Sequence, residues 1–211
     1  MNDETLRKYY TSYTVMLKIL KYRGYYVSKK YDKTREEFDE MYSEYTDLSA
    51  VKTAMSENMI FKKGGPAVMV IWIHERKLGS NVRDVVSTLE ENDILNAFII
   101  ADEGPTPQVG EVIKSLKVTK KIHIDIWTLQ SSMVFIPDHV LVPKHRICST
   151  RERKAIYDAY NLKVGDQKIP RLPTTDAIVK FLGATKGNLV EIYRPSETDP
   201  DKWMLSYRIV Y

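Results

Sequence analysis

Residues 67–73 read AVMVIWI, an unbroken apolar run preceded by the breaker Gly64-Gly65-Pro66 and followed by the polar HERK of 74–77. A run this short and continuous is the mark of a strand covered on both faces, because an exposed face would bring polar residues to alternate positions. A second buried strand is expected at AFIIA (97–101), and between the two Val82, Val85, Val86 and Leu89 recur at helical spacing. Thr106-Pro107 then opens a helix, with Thr106 as N-cap, Pro107 in the first turn, and Val109, Val112, Ile113 and Leu116 facing inward. Ile122, Ile124 and Ile126 alternate with His123 and Asp125 in a third strand, and residues 133–136 are a candidate fourth. This alternation of strands and helices predicts a mainly parallel or mixed sheet with helices packed on it, an α/β domain.

Upstream, Leu6, Tyr9, Tyr10, Tyr13, Met16, Leu17 and Leu20 form a helical stripe, and Gly24 sits where a glycine would end that helix. Tyrosines at this spacing are read as core rather than as a stacking platform. Thr34 with Glu37 makes a capping box for a second helix carrying Phe38, Met41, Tyr42 and Tyr45. Downstream, Pro137 and Pro143 bracket a break near residue 140, which places domains at 1–138 and 139–211. In the second domain Ser149 with Glu152 caps a helix running through Tyr160, with Ala155, Ile156 and Ala159 as its apolar face. Pro170 and Pro173 punctuate an extended loop. Thr175 or Asp176 caps a short helix (AIVKFL) that Gly183 ends. LVEIY (189–193) and residues 203–210 read as two antiparallel strands. The whole is therefore expected to be α+β in two domains, the second small, mixed and β-rich.

The composition, 43% hydrophobic and 28% charged over 211 residues, is that of an ordinary globular protein. No apolar run is long enough to span a bilayer, and MNDETLRKYY is not a secretory signal, so no membrane association is expected. A single cysteine, Cys148, excludes an intrachain disulfide and a cysteine-only metal site, and a reducing intracellular compartment fits. The net charge is +4; residues 141–211 hold thirteen basic and eight acidic residues, so the second domain is the basic one. Lys and Arg read as scattered singly, a weak nucleic-acid signal.

Signatures of catalysis are few. No phosphate-binding glycine loop is present, and His74, His123, His139 and His145 show no metal-ligand spacing. Glu75-Arg76-Lys77 directly follows the first strand, and a carboxylate and a lysine at a strand end are half of a metal-dependent nuclease site. The other half, an acidic residue on a preceding strand, is missing, although Asp47 lies upstream. A nuclease using Glu75 and Lys77 is kept as the alternative reading. No other cofactor is expected.

HVLVPKHRI (139–147), KIPRL (168–172), TTDAIVKFLGATKGNLVEIYRPSET (174–198) and SYRIV (206–210) occur in an order and spacing that resemble the small H-type component of archaeal RNA polymerases. They resemble equally the C-terminal domain of the fifth common subunit of eukaryotic DNA-dependent RNA polymerases. Residues 1–138 favour the eukaryotic family, since the archaeal protein lacks such a domain.

The resemblance implies a restriction-endonuclease-like jaw domain without catalytic role, followed by an assembly domain of the archaeal H type that docks on the largest polymerase subunit and its neighbours. In the family a Thr-Pro-Ser-Ala turn lies near incoming duplex DNA. Here it is Thr106-Pro107-Gln108-Val109, so the cap and proline remain and any contact through the serine hydroxyl is lost. The implied DNA-proximal residues are Thr106, Pro107 and Gln108, with weak binding independent of sequence. The implied subunit interface is Leu141, Val142, Pro143, Lys144, His145, Arg194 and Glu197. Leu141 and Val142 equally suit the small domain's own core, whereas Ile192 and Tyr207 are expected inside it. Location in the nucleus is implied, or in cytoplasmic factories for a viral relative. A basic adaptor that receives transcription regulators is a third reading.

Overall fold

The computed structural model describes residues 3–211 except 58, 65–66, 74–77, 164–167, 197 and 200, and at 78–81 it describes the backbone only. The chain forms two compact units, residues 1–134 and 135–211. The boundary expected at 138/139 lies just after a 3-10 turn, Ile136–Asp138, that belongs to the second unit.

The first unit begins with α1 (Asp3–Tyr22), α2 (Arg35–Tyr42) and α3 (Leu48–Ser56), followed by β1 (Ile60–Phe61) and β2 (Val68–Trp72). It continues through α4 (Leu78–Glu91), β3 (Asn96–Ala101), α5 (Pro107–Thr119) and β4 (His123–Thr128). The sheet order is β1-β2-β3-β4, with β2, β3 and β4 parallel and β1 antiparallel to β2. Register pairs Met69 with Ala97 and Ala97 with Ile124, so one face carries Ile71, Ala97, Ile99, Ala101 and Ile124. This face packs against Val82, Val85, Val86 and Leu89 of α4 and Val109 of α5. The other face, with Val68, Val70, Trp72, Phe98 and Ile100 buried, meets α1: Tyr13 stacks on Trp72 at 6.3 Å, and Trp72 Nε1 donates to Ser12 Oγ at 3.2 Å. Burial of both faces is why these strands read as unbroken apolar runs.

Residues 133–136 form no strand. Residues 133–135 fall between two 3-10 turns, Gln130–Ser132 and Ile136–Asp138, the second of which takes up Ile136, and Pro137 has no N–H to give a ladder. The fourth strand is instead the two-residue β1, too short to leave a periodic signal. The tyrosines of α1 do pack inward: Tyr9 and Tyr13 are buried, and Tyr10 meets Phe38 edge-on at 5.3 Å. Three apolar expectations fail. Met41, Tyr45 and Val112 are exposed, because α2 stops after two turns and α5 turns only a narrow stripe toward the sheet.

The second unit contains β5 (Lys144–Ile147), α6 (Thr150–Ala159), β6 (Arg171–Leu172), α7 (Ala177–Leu182), β7 (Leu189–Pro195) and β8 (Trp203–Val210). Its sheet order is β5-β7-β8-β6, antiparallel except for the parallel β6/β8 pair. One face buries Leu172, Val190, Ile192 and Val210 under Val179 of α7. The other buries Cys148, Ile169 and Leu189, with Ile156 and Tyr157 of α6 and Tyr207 packed against them. Ala155 and Ala159 are exposed, so the apolar cover that α6 gives the sheet comes from Ile156 and Tyr157. Burial raises the Cys148 thiol above its ordinary range, which makes it a core residue rather than a nucleophile.

Candidate interaction surfaces

At the C-terminal end of β3 the chain turns into α5 through exposed Thr106, Pro107 and Gln108. Thr106 is extended and its Oγ1 accepts the Val109 N–H at 3.4 Å, while its carbonyl accepts from Gly110 N. Pro107 has no N–H, so the amide of Gln108 is the first-turn donor that helix geometry leaves without an intrahelical acceptor. Such an end carries partial positive charge and suits a phosphate oxygen. Exposed Glu103 nearby opposes this. Asp102, by contrast, is engaged by Lys52: the Lys52 Nζ lies 2.9 Å from Asp102 Oδ2 and 3.1 Å from the Ile73 carbonyl.

Glu75, Lys77 and Glu197 lie outside the described residues. Asp47, the upstream acid, stands at the N-cap position of α3 without a side-chain bond to the helix amides and accepts from Ser49 Oγ, so it lies at a helix end rather than in a strand-borne site. Among the described residues no group of three or more His, Cys, Asp or Glu side chains could hold a metal ion. No described helix is long and apolar enough to cross a membrane.

The second unit gathers Leu141, Val142, Pro143, His145 and Arg194 around one groove of about 410 Å³, with Leu172, Asp176 and Ile178 on its other wall. Five of the expected interface residues thus meet on the face covered by α7. Lys144 does not join them. It pairs with Tyr193, so its side chain lies on the opposite face, where Arg146 bridges Glu152 and Glu191 at 2.8 and 3.2 Å. Leu141 is 82% exposed, so it does not fill the core of its own unit. Val142 is half-buried in the groove wall, and Ile192 is buried. The turn is held locally, since Leu141 N donates to His139 Nδ1 at 3.2 Å and His145 Nδ1 donates to the Pro143 carbonyl at 2.7 Å. Burial draws the His145 imidazole below its ordinary range.

Another exposed feature is not apparent from the sequence. Tyr193 and Trp203 stack at 4.8 Å with rings 5° from parallel, beside exposed Leu205. Strand alternation in LVEIY and WMLSY was visible, but the limit of α6 cover was not.

Residues 134–210 match the family described as RNA polymerase Rpb5, C-terminal domain. The match covers the whole groove-bearing unit, and relatives extend it through the first. Its second unit carries the Rpb5 C-terminal domain, and the chain is similar to Rpb5 proteins along both units. It is 29% identical over 213 aligned residues to the Caenorhabditis briggsae protein named DNA-directed RNA polymerases I, II, and III subunit RPABC1, covering 98% of this chain and 97% of the relative. The Caenorhabditis elegans protein of the same name gives the same identity and coverage. The Dictyostelium discoideum protein of that name is 27% identical over 140 residues, 65% of this chain and 70% of its own length. Rpb5 similarity thus spans both units, as the sequence resemblance led one to expect, and it lends the Glu75–Lys77 nuclease reading no support.

Proposed function

We propose that the protein is a non-catalytic subunit of a eukaryotic-type DNA-dependent RNA polymerase and works with the other polymerase subunits in the nucleus. The observation that carries this reading is similarity to the shared subunit along essentially the full length of both chains. In this reading residues 139–211 are the assembly domain. The groove formed by Leu141, Val142, Pro143, His145 and Arg194 docks on the largest subunit, and an apolar side chain as exposed as Leu141 supports a surface completed by a partner. Arg194 and Glu197 belong to the same proposal as rim charges, whereas Lys144 would meet the partner only from the opposite face of the sheet.

Residues 1–138 are then the jaw domain, in a restriction-endonuclease-like arrangement whose catalytic role has gone. The three parallel strands between two helical layers support it. Thr106, Pro107 and Gln108 lie near downstream duplex DNA and offer it a helix N-terminus. Such a contact positions DNA without reading bases. It contributes about one or two phosphates to the salt dependence, so removing it changes the log-log slope by no more than about two. Transcription regulators are further candidate partners of this domain.

Gentle affinity purification of the tagged chain from its native cells, followed by mass spectrometry, tests the proposal. The expected result is recovery of the two largest polymerase subunits in comparable amounts. Recovery of the chain without polymerase subunits overturns it.

A further inference from the structure

Between residues 18 and 33 the chain carries Lys18, Lys21, Arg23, Lys29, Lys30 and Lys33 against one acid, Asp32. The fold adds more charge from a distant segment. Tyr26 N donates to the Lys62 carbonyl at 3.0 Å in an isolated antiparallel bridge, and Lys63 Nζ donates to the Arg23 carbonyl, its ammonium 5.8 Å from the Tyr25 ring. Gly24, at φ +82°, makes this approach possible, since a Cβ there would stand 3.2 Å from Lys63 Cε. Arg23 is consumed by Asp125 at 2.7 Å, and Lys21 shares Asp32 at the same distance. Lys29, Lys30, Lys62 and Lys63 are exposed, with the Lys30 ammonium 4.7 Å from the Tyr31 ring, and Tyr26, bridged to Lys62 and three residues before Lys29, is 77% exposed.

We infer that this surface binds the backbone of a single-stranded polynucleotide, with the lysines on phosphates and the Tyr26 ring stacked on a base. Two observations select this ligand. A tyrosine ring held in water among ammonium groups, on backbone fixed by a bridge, is the combination that takes a charged chain bearing flat apolar rings. The lysines also come from two separate stretches, the turn at Lys29–Tyr31 and Lys62-Lys63, which the Tyr26–Lys62 bridge ties together, so the charge is extended rather than focused into a pocket. The surface is distinct from the Thr106 turn. Lys62 follows β1 and lies by the start of β2, where Asn96 Nδ2 of β3 donates to the Ala67 carbonyl, whereas Thr106 follows the far end of β3. The length of β3 separates them by ~20 Å.

The test is fluorescence anisotropy of the full chain with labelled dT20 and rU20 over a salt series. With about four phosphates engaged, the expected log-log slope is about −3 on either strand. The triple variant Lys29→Glu, Lys30→Glu, Lys62→Glu is expected to weaken binding by more than tenfold. Tyr26→Ala is expected to weaken it about fivefold or more, and Tyr26→Phe to retain it, because stacking needs the ring and not the hydroxyl. Thr106→Ala should leave single-strand binding unchanged. All of these side chains are exposed, and unchanged thermal unfolding verifies that each variant folds. Unaltered binding by both the triple variant and Tyr26→Ala overturns the inference. So does tighter binding of a labelled poly-glutamate peptide that ignores Tyr26→Ala, which would assign the surface to an acidic protein segment. Neither result bears on polymerase co-purification.

Discussion

The Lys52 ammonium is held by both carboxylate oxygens of Asp102, at 3.1 and 2.9 Å, in a site where the lysine side chain is 2% exposed and the aspartate 37%. Tyr9 closes the arrangement, its ring 5.3 Å from the ammonium and its hydroxyl donating to Asp102 Oδ1 at 3.3 Å. The two charges are unequal in their access to water, and that decides what each substitution does. Asp102→Ala leaves an ammonium inside the protein with only the Ile73 carbonyl and a ring for company. Lys52→Met leaves a carboxylate that can rehydrate. Breaking a fully buried pair costs about 3–5 kcal/mol. Partial exposure reduces this, so we expect Asp102→Ala to cost ~2–4 kcal/mol and Lys52→Met ~1 kcal/mol or less. Urea unfolding of the two variants checks the order, and a larger loss for Lys52→Met would contradict this account.

His145 makes the second unit sensitive to mild acid. Burial disfavours its charged form, and Arg208 adds to this, while the Pro143 carbonyl and Asp176 oppose it without prevailing. The folded state therefore takes up its proton at lower pH than the unfolded chain, whose imidazole titrates near ~6.5. Above that pH both states are neutral and the native state is at its full stability. As pH falls through it, the unfolded chain gains a proton that the folded one does not, and stability declines. His145→Gln is expected to flatten stability between about pH 7 and pH 5, as read from urea midpoints at fixed salt.

A second acid dependence lies lower, at the start of α6. The Glu152 carboxylate accepts from Ser149 N at 2.7 Å and from Arg146 Nη1 at 2.8 Å. The Ser149 amide chiefly, then its hydroxyl and Arg146, hold the Glu152 carboxyl at about 2. A carboxylate depressed in the folded state stabilises it above the ordinary carboxylate range, and that contribution is lost as pH falls toward 2. Ser149→Ala should raise the Glu152 value measured by NMR and lower stability by ~1 kcal/mol at neutral pH through the lost cap.

What the sequence disclosed followed the range of the interactions. The caps at Thr34, Ser149 and Thr106 involve partners three residues away, and all three form. Gly24 and Gly183 end α1 and α7 with positive φ, each followed by an amide that reaches back five residues, Tyr25 to Leu20 and Ala184 to Val179. Covered strands announced themselves because both faces are apolar. The two-residue β1 and β6 did not, since pairing with a neighbour defines them. The same limit hid the basic surface. Lys62-Lys63 reads as a pair remote from the N-terminal helix until the bridge to Tyr26 ties it to the segment that carries Lys29 and Lys30. The groove was half legible: its residues are nearly contiguous at 141–145, but strand alternation turns Lys144 away from His145.

Leu141 and Ile192 separate docking from folding. Both are apolar and both line the groove, but Leu141 is 82% exposed and Ile192 is 5% exposed. Leu141→Asp places a charge where water already reaches, so stability should change by no more than ~0.5 kcal/mol. Ile192→Ala removes buried methyl groups beneath α7 and should cost ~2–5 kcal/mol. If the groove is the docking surface, Leu141→Asp also puts an unpaired carboxylate into an interface that an apolar side chain would fill. Co-purification of the largest polymerase subunit should then fall severalfold while the melting temperature stays put. A Leu141→Asp chain that recovers polymerase subunits at the wild-type level would move the docking surface elsewhere on the second unit, with the stacked Tyr193 and Trp203 on the opposite face as the next surface to vary.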